Sequence, residues 1–490
     1  MLNRRAFLKT AGLAALAPSA CVTRPITGSG AWVNDIHSQL NATWVSSIST
    51  PRSAGALIHA VRASRSGAIC IAGGRHAMGG QQFAHDATLL DMRQMNRILS
   101  FDAESGIVEV ESGIEWPELI SGLIERQRGA AKQWGIRQKQ TGADRLTIGG
   151  GLAANVHGRG LTMKPFIDDI ESFLLITPDG EPVECSRTKN SELFSLAIGG
   201  YGLFGPIASV RLRLSPRTKV QRVVEVQQIE TVAAAFQRRI DDGFLYGDFQ
   251  FSINDQADNF LRSGVFSCYR PVSDDTPINS GQAELRPEDW LGLLHLAHAD
   301  KEQAYQRYVG YYLSTSGQVY WSDEHQLSYY PDDYHRGLDR MAQAKSPATE
   351  MITELYVPRP RLAGFMTAAA EDLRRRKVPV VYGTVRLIER DDQSFLHWAR
   401  QPYACVIFNL HTEHSDEGKL RAADAFRSLI DLALGWDGSY YLTYHRWARR
   451  DQVERAYPQF AKFLELKRQY DPRERMQSEW YRHYREMFRA

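Results

Sequence analysis

A glycine-rich loop directly after a short apolar strand constrains this chain more than any other feature. The loop, Gly73-Gly74-Arg75-His76-Ala77-Met78-Gly79-Gly80-Gln81, follows Ala68–Ala72, whose apolar residues predict a buried strand. Glycines let main-chain N–H groups approach a ligand closely, and a run of such groups forms a concavity suited to a pyrophosphate. By itself the loop is more typical of a plain glycine turn with a solvent-facing histidine. Two later glycine-rich stretches support the alternative interpretation, that this loop binds a ligand.

The composition is ordinary for a large globular chain. The 490 residues suffice for two or more domains, and 43% hydrophobic with 24% charged residues is close to average. The net charge of +2 favours neither a nucleic-acid partner nor an anionic membrane surface. The five cysteines are scattered, without a CxxC pair or histidines at zinc spacing. The sequence therefore predicts no metal site and leaves any disulfide pairing open.

The N-terminus predicts export from the cytoplasm. A basic head, Asn3–Lys9, precedes the apolar run Ala11–Ala17, which is too short to span a membrane in the mature chain. The paired arginines resemble a twin-arginine signal, whose route carries folded proteins with their cofactors. We expect residues 1–21 to be a signal peptide and the protein to be periplasmic or extracellular. Pro18 stands where a lipobox has Leu, which argues against a lipid anchor at Cys21.

The hydrophobic pattern predicts an α+β chain in several parts. Residues 22–50 are polar and predict a linker leading into the first domain. Residues 51–216 combine short strands and helices with many glycines, and residues 217–420 are rich in aromatic residues and predict a second α+β domain. Residues 421–490 predict a mainly helical C-terminal segment that completes the active site.

One motif is misleading. Gly200-Tyr201-Gly202-Leu203-Phe204-Gly205 matches GxGxxG, the fingerprint of a dinucleotide site, letter for letter. That fingerprint must follow a strand and open a helix. Here Glu192–Ile198 predicts a helix before the motif and Ile207–Leu214 predicts a strand after it. The reversed order excludes an NAD domain.

Three glycine-rich stretches, taken in order, resemble flavin-dependent oxidoreductases of the vanillyl-alcohol-oxidase type. They are Gly74–Gln81, Ile148–Gly158 and Gly199–Ile207. The resemblance implies a two-part FAD-binding domain of the cresol-methylhydroxylase (PCMH) type plus a substrate, or cap, domain. It also implies that the first stretch is the pyrophosphate loop and that His76 bonds covalently to the flavin 8α-methyl group, as the matching histidine does in many members.

The resemblance further implies a set of cofactor-binding residues. His157 among them is interpreted as orienting its glycine turn. The set comprises Gly73, Gly74, Arg75, His76, Ala77, Gly80, Gln81, Gly149, Gly150, Asn155, His157, Gly158, Gly205 and Ile207.

Two further stretches resemble sugar-lactone and alditol oxidases. Arg446-Trp447-Ala448-Arg449 stands where that family usually has His-Trp-Gly-Lys. Thr384-Val385-Arg386 resembles the strand that offers an arginine beneath the flavin, but Thr384 occupies the position of the family's glutamate. These departures put a sugar-lactone substrate in question, and the added guanidinium suits a more anionic or oxygen-rich substrate.

Three residues are the catalytic candidates. Arg386 and Arg449 would supply positive charge near flavin N1 and C2=O and orient the substrate. His445 is the candidate base, because the unperturbed pKa of histidine lies near neutral pH. Each has a structural alternative: Arg386 pairing with Asp391 or Asp392 at the surface, and His445 pointing into solvent.

These observations predict an FAD-dependent oxidoreductase that acts on a CH–OH group of a polyol, sugar or lactone-like substrate. Dioxygen or another carrier would accept the electrons, and the bulk of Val156, adjacent to His157 and Gly158, would hinder dioxygen and favours a dehydrogenase. Two alternatives stay open. One is a flavoprotein that acts on a lipid-linked sugar or a C=C bond, and the other is a secreted flavin-binding protein without catalysis.

Overall fold

The computed structural model describes residues 30–64, 67–328 and 334–489. The predicted signal peptide, with Cys21, lies outside the described residues. Within the described ranges, every helix is too short or too polar to cross a lipid bilayer. The four described cysteines are buried free thiols: Cys70, Cys185, Cys268 and Cys405.

A small parallel sheet carries the glycine-rich loop. Its strand order is β3-β5-β4, from β3 (Ser47–Ser49), β4 (Ile69–Ala72) and β5 (Thr88–Asp91). Helix α1 (Ala54–Ala63) buries its apolar face against this sheet. The loop therefore leaves the sheet at the carboxyl end of β4, as the sequence predicts.

The polar segment before this sheet is folded, which differs from the predicted linker. Strands β1 (Ala31–Val33) and β2 (Thr43–Val45) form an antiparallel hairpin. Between them the Asp35 carboxylate accepts hydrogen bonds from the main chain of His37, and the Asn41 amide donates to the carbonyl of Met78 at 2.7 Å. The polar side chains of residues 30–50 thus bond to one another and to the glycine-rich loop.

A five-stranded antiparallel sheet follows, with the order β10-β9-β11-β7-β6. Its strands are β6 (Ile98–Asp102), β7 (Ile107–Glu111), β9 (Ile170–Ile176), β10 (Pro182–Ser186) and β11 (Ile207–Arg213). The connecting helices are α2 (Trp116–Arg126), α3 (Ile148–Ala154) and α4 (Ser191–Ala197). A separate short pair joins β8 (Trp134–Gly135) to β12 (Ser215–Pro216).

The second large unit is an eight-stranded antiparallel sheet with the order β16-β13-β15-β14-β18-β19-β17-β20. Its strands are β13 (Lys219–Gln228), β14 (Tyr246–Phe251), β15 (Ser263–Val272), β16 (Val319–Trp321), β17 (Ala348–Pro358), β18 (Val380–Ile388), β19 (Tyr403–Glu413) and β20 (Ser439–Tyr440). The mixture of sheets and helices confirms the predicted α+β class.

Helices cover both faces of this sheet. One face packs against α5 (Ile229–Asp241), α9 (Leu362–Arg376) and α10 (Asp416–Gly435). The other face is partly covered by α6 (Pro287–Ala299), α7 (Lys301–Ser314) and α8 (Tyr334–Met341). Phe266 of β15 stacks edge-on against Phe236 of α5 at 4.8 Å between ring centroids, so the first face is apolar.

The C-terminal segment returns to the glycine-rich loop through α11 (Arg450–Ala456), α12 (Phe460–Tyr470) and α13 (Glu479–Met487). The strand predicted at residues 440–444 is only the short β20. After α12 the Ile69 N–H donates to the carbonyl of Arg475 at 2.7 Å, and the Trp480 N–H donates to the carbonyl of Gly80 at 3.2 Å. The two ends of the described chain thus meet beside the loop.

Candidate active site

The glycine-rich loop holds a row of main-chain donors without protein acceptors. In the described part of the chain, the N–H groups of Gly74, Arg75, His76 and Ala77 make no hydrogen bond to protein. Arg75 is in the left-handed region at φ +62°, a conformation that lets successive N–H groups converge on one point. The loop therefore has the form of an anion-binding concavity.

Close packing explains why glycine occupies the start of this loop. A Cβ on Gly73 would lie 2.0 Å from the Thr147 hydroxyl, and one on Gly74 would lie 2.3 Å from the Arg145 carbonyl oxygen. Gly80 has φ +76° and lies against the Arg446 side chain. The loop is thus pressed against the segment that leads into α3, which is the second glycine stretch of the sequence.

His76 is held by a histidine that the sequence did not point to. Its Nδ1 lies 2.7 Å from Nε2 of His37, in the polar segment between β1 and β2. Burial, together with the charges of Lys139 and Arg145, lowers the pKa of His76 to about 4, although the Arg145 carbonyl opposes this shift. His76 is therefore a neutral imidazole at neutral pH, and its Nε2 is buried without a hydrogen bond of normal geometry.

The remaining side chains of the loop anchor it to the protein. The Gln81 amide donates to the carbonyls of Leu442 and Thr443 at 3.1 and 2.9 Å. The Arg75 guanidinium donates to Asp91 at 3.2 Å. Both side chains therefore fix the loop, and the groups of the loop that face a ligand are main-chain N–H groups and the His76 ring.

The second glycine stretch serves close packing, because its first N–H groups are hydrogen-bonded to protein. The Gly149 N–H donates to the carbonyl of Ser112 at 2.7 Å, and the Gly150 N–H donates to the Thr147 hydroxyl at 3.2 Å. The Asn155 side chain binds Asp391 at 3.0 Å and accepts from the main chain of Ile167. The polar groups of Asn155 are therefore engaged with protein rather than directed at a ligand.

The predicted residues at the ends of these stretches also have structural contacts. A Cβ on Gly158 would lie 2.9 Å from the Lys139 carbonyl oxygen, and one on Gly205 (φ +135°) would lie 2.0 Å from the Ile176 carbonyl oxygen. Ile207 begins β11 and is paired with β9. These three residues shape the domain that holds the loop.

A buried contact between a histidine and a carboxylate joins the glycine turn after α3 to the eight-stranded sheet. Nε2 of His157 lies 2.5 Å from Oε1 of Glu354 on β17, and the Tyr444 hydroxyl donates to Oε2 at 3.3 Å. Burial raises the pKa of Glu354, but the charge and hydrogen bond of His157, with the charge of Arg386, outweigh it and hold this pKa below its usual value. Glu354 is therefore a buried carboxylate, and nothing in the local sequence indicates it.

The register of the sheet explains how Glu354 comes to this place. Thr384 of β18 and Glu354 of β17 both pair with Ile407 of the intervening β19. Directly opposed residues share one face of a sheet, so Glu354 occupies the same cross-strand row as Thr384. Glu354 thus lies two strands away from Thr384, where the resemblance places a carboxylate, and on the face that also carries Arg386.

Arg386 is buried and directed into this face. Its side chain makes no hydrogen bond or ion pair in the described residues, and its Nε is buried without a partner. The alternative of a surface pair is excluded, because Asp391 binds Asn155 and Asp392 binds Lys164. A buried guanidinium without an acceptor is costly, which indicates that a bound ligand completes it.

Polar atoms without partners surround Arg386 on the same face. Phe249 pairs with Val385, and Asp248 pairs with Ser267. Side chains alternate between the two faces along a strand, so the polar neighbours of Phe249 lie on the same face as Arg386, the neighbour of Val385. We call this set the polar floor. Its members, each with a buried unpartnered atom, are Asp248 (Oδ1), Gln250 (Oε1), Ser267 (Oγ), Arg386 (Nε) and Asn409 (Oδ1).

The structure does not bring His445 to the polar floor. Nε2 of His445 lies 3.4 Å from the hydroxyl of Thr353, which is adjacent to Glu354 on β17 and therefore faces the opposite side. The ring stacks on Phe426 of α10 at 4.6 Å. Burial and the charge of Arg427 lower the pKa of His445 to about 3. This histidine is a neutral core residue on the face that packs against α10, opposite the polar floor, which argues against a role as the base.

Arg449 also lies away from the polar floor. It precedes α11 with its side chain 44% exposed, and it pairs with Asp431 at 2.8 Å and with Asp451 at 3.1 Å. The first guanidinium of the same motif, Arg446, is the one that lies against the glycine-rich loop at Gly80. The motif alone did not distinguish which arginine faces inward.

Known proteins resemble part of this chain. Residues 45–186 match the family model described as FAD binding domain. A relative named "uncharacterized oxidoreductase ORF5 in fasciation locus" from Rhodococcoides fascians is 28% identical over 47% of this chain and 53% of its own length. Cytokinin dehydrogenase 1 of Arabidopsis thaliana is 28% identical over 32% of this chain and 27% of its own.

A third relative is the mitochondrial L-galactono-1,4-lactone dehydrogenase 1 of Oryza sativa subsp. japonica, 31% identical over 27% of this chain and 21% of its own. The chain thus spans about half, or less, of the curated relatives it matches. The matched region contains both the loop with free N–H groups and the second glycine stretch. The free N–H groups of the loop fit the diphosphate of FAD, and the buried, unpartnered Nε2 of His76 belongs to the same loop. The chain therefore contains an FAD-binding domain of the PCMH type over residues 45–186, the part that the family model matches.

Proposed function

We propose that this protein oxidises a CH–OH group of a polyol, sugar or lactone-like substrate, with FAD bound covalently through His76. FAD, when bound, supplies the acceptor for a hydride at its N5 atom. The side chains of this chain bind and orient the substrate, hold charge near the flavin and accept the hydroxyl proton.

The observation that carries the proposal is the polar floor. Its five side chains lie on one face of the sheet, four of them are buried and Asn409 is partly buried, and each retains a buried polar atom without a partner. Buried polar atoms in folded proteins are nearly always hydrogen-bonded. A substrate with several hydroxyl groups would satisfy them together, whereas a mainly apolar substrate would leave them desolvated and unpaired. This favours an oxygen-rich substrate.

Glu354 is the group we assign as proton acceptor. It is ionised, and its position and orientation are fixed by His157 and Tyr444. A carboxylate beside the reacting carbon could take the hydroxyl proton as the hydride leaves. The 2.5 Å contact with His157 would keep the carboxylate oriented as it takes up this proton.

Arg386 is the group that we assign to supply positive charge near the flavin and to orient the substrate. Its guanidinium is buried on the same face as Glu354 and lacks a protein acceptor in the described residues. A fixed positive charge in a water-excluded site stabilises negative charge that develops during a reaction. The guanidinium could stabilise negative charge on the reduced flavin, on an oxyanion of the substrate, or on each in turn.

The names of the relatives support an oxidoreductase activity and offer two substrate classes to compare. One is named for a lactone and another for cytokinins, at 31% and 28% identity. Both matches cover less than a third of either chain, so neither relative compares the whole site. The polar floor is what favours the oxygen-rich class.

Anaerobic bleaching of the flavin tests the proposal. Purified protein is mixed in turn with polyols, aldoses, sugar lactones, hydroxy acids and a cytokinin, and the loss of flavin absorbance is followed. We expect bleaching by at least one polyhydroxylated compound and slower or no bleaching by the cytokinin. The opposite order, or protein that takes up no flavin, would overturn the proposal. Admitting air to the bleached sample then shows whether dioxygen is the acceptor.

A further inference from the structure

A second polar cluster lies further along the face that carries Glu354. Its centre is Glu350, four residues earlier on β17, whose side chain is only 2% exposed. Oε1 of Glu350 lies 3.1 Å from Nε2 of His298 on α6 and 3.5 Å from Nδ1 of His411 on β19. Three elements distant in sequence thus bring two imidazoles onto one carboxylate oxygen.

The spacing of these donor atoms is that of a metal site. The donor atoms of His298, Glu350 and His411 all lie within 4.8 Å of one another. Bonds of about 2.0–2.2 Å in a tetrahedral arrangement place neighbouring ligand atoms about 3.3 Å apart. The observed separations of 3.1 and 3.5 Å lie on either side of that value.

The surroundings fix the carboxylate and leave a way in. Oε2 of Glu350 accepts a hydrogen bond from the Tyr334 hydroxyl at 2.8 Å and lies 2.8 Å from Nδ1 of His335. Such outer contacts orient a ligating carboxylate. The side chains of His298 and His411 are 21% and 28% exposed, so an ion can reach them from solvent and retain water at an open position.

We propose that His298, Glu350 and His411 bind one divalent transition-metal ion, with zinc as the best match. Two imidazoles and a carboxylate suit zinc and its neighbours, whereas calcium and magnesium prefer oxygen ligands alone. The ion would link α6 to β17 and β19 and so secure the helical cover over the face that bears the polar floor. This inference is independent of the substrate and of the redox activity.

The experiment uses untagged, full-length, flavin-loaded protein, because a histidine tag would bind metal itself. The protein is stripped with a chelator, dialysed against zinc and then against metal-free buffer, and its zinc content is measured by mass spectrometry. We expect about one zinc per chain in the wild type and in His295→Ala, a control on the same helix. His298→Ala and His411→Ala should each lose the bound zinc.

Thermal unfolding gives a second readout. Zinc should raise the unfolding midpoint of the wild type and of His295→Ala by about 2–5 °C, because a ligand that binds only the folded state stabilises it. It should leave His298→Ala and His411→Ala unchanged. Equal zinc content in all four proteins, or none in the wild type, would overturn the site and indicate that Glu350 only accepts hydrogen bonds.

Copper provides a test that needs no variant to fold. With one equivalent of Cu²⁺ added to the stripped wild type, electron paramagnetic resonance should show coupling to two imidazole nitrogens. A spectrum without nitrogen coupling would count against the site even if both alanine variants are unstable. Neither result depends on whether the flavin is reduced by any substrate.

Discussion

Nε2 of His157 and Oε1 of Glu354 lie 2.5 Å apart in the interior, and this contact joins the glycine turn of the FAD-binding domain to the eight-stranded sheet. A cofactor held on one side and a substrate held on the other would meet at this junction. The pair keeps a carboxylate charged and oriented before substrate arrives, which is the kind of preorganisation that lowers a reaction barrier.

Replacing Glu354 should therefore slow the reaction without removing the flavin. In Glu354→Gln the amide keeps the shape of the side chain but does not take up a proton. We expect the rate of anaerobic flavin reduction to fall by about 10²–10⁴-fold, with the flavin-to-protein absorbance ratio unchanged. Glu413→Gln, at a half-exposed carboxylate on β19, is the control and should retain the wild-type rate. A rate within threefold of wild type in Glu354→Gln would exclude it as the proton acceptor.

The proposed covalent bond between His76 and FAD predicts that the flavin stays with the protein on denaturation. Acid-precipitated wild type should retain flavin in the pellet, because a covalent bond survives unfolding. His76→Ala should release all of its flavin to the supernatant, whereas His59→Ala, an exposed histidine on α1, should behave as the wild type. Flavin released from the wild type would refute the bond while leaving non-covalent binding intact.

The two arginines named by the sequence should differ sharply in their effect on activity. Arg386→Met removes a buried charge from the polar floor, and we expect kcat/KM to fall by about 10²–10³-fold. Arg449→Met removes a surface ion pair with Asp431 and Asp451, which is worth at most about 1 kcal/mol of stability. We expect its kcat/KM to stay within about twofold of wild type. Similar losses in both variants would place Arg449 in the site after all.

Buried neutral histidines predict a loss of stability in acid. The pKa of His445 is lowered from 6.5 to about 3 in the folded protein, so between these values the unfolded chain binds a proton that the folded chain does not. The free energy of unfolding should therefore fall as the pH drops below about 6.5, by up to about 1.4 kcal/mol per pH unit for this one group.

Comparison with a variant isolates this contribution from other titrating groups, such as Asp169, whose pKa burial raises to about 7. His445→Phe keeps the stacking on Phe426 and removes the titration. Urea unfolding from pH 6.5 to 4 should show a shallower pH slope in this variant than in the wild type. Parallel slopes would mean that His445 is protonated to the same extent in both states.

Local patterns sufficed for the features that depend on neighbours in the chain. The loop after β4 was predicted because apolar strand residues and glycines follow one another directly, and the GxGxxG at 200–205 was rejected because its flanking elements stand in the wrong order. The export signal stays a prediction, since it lies outside the described residues. The polarity of residues 22–50 predicts a linker and entry segment, because it does not show that the side chains of Asp35 and Asn41 bond within the protein.

The sequence by itself therefore determined the α+β class, the glycine-rich loop with His76 after β4, and Arg386 on a strand. Only the tertiary structure decided that His37 holds His76, that Glu354 stands in the row of Thr384, and that His298, Glu350 and His411 converge. The physical reason is strand pairing. Register and sheet order place residues separated by tens to hundreds of positions side by side on one face, and no local periodicity encodes which strands become neighbours.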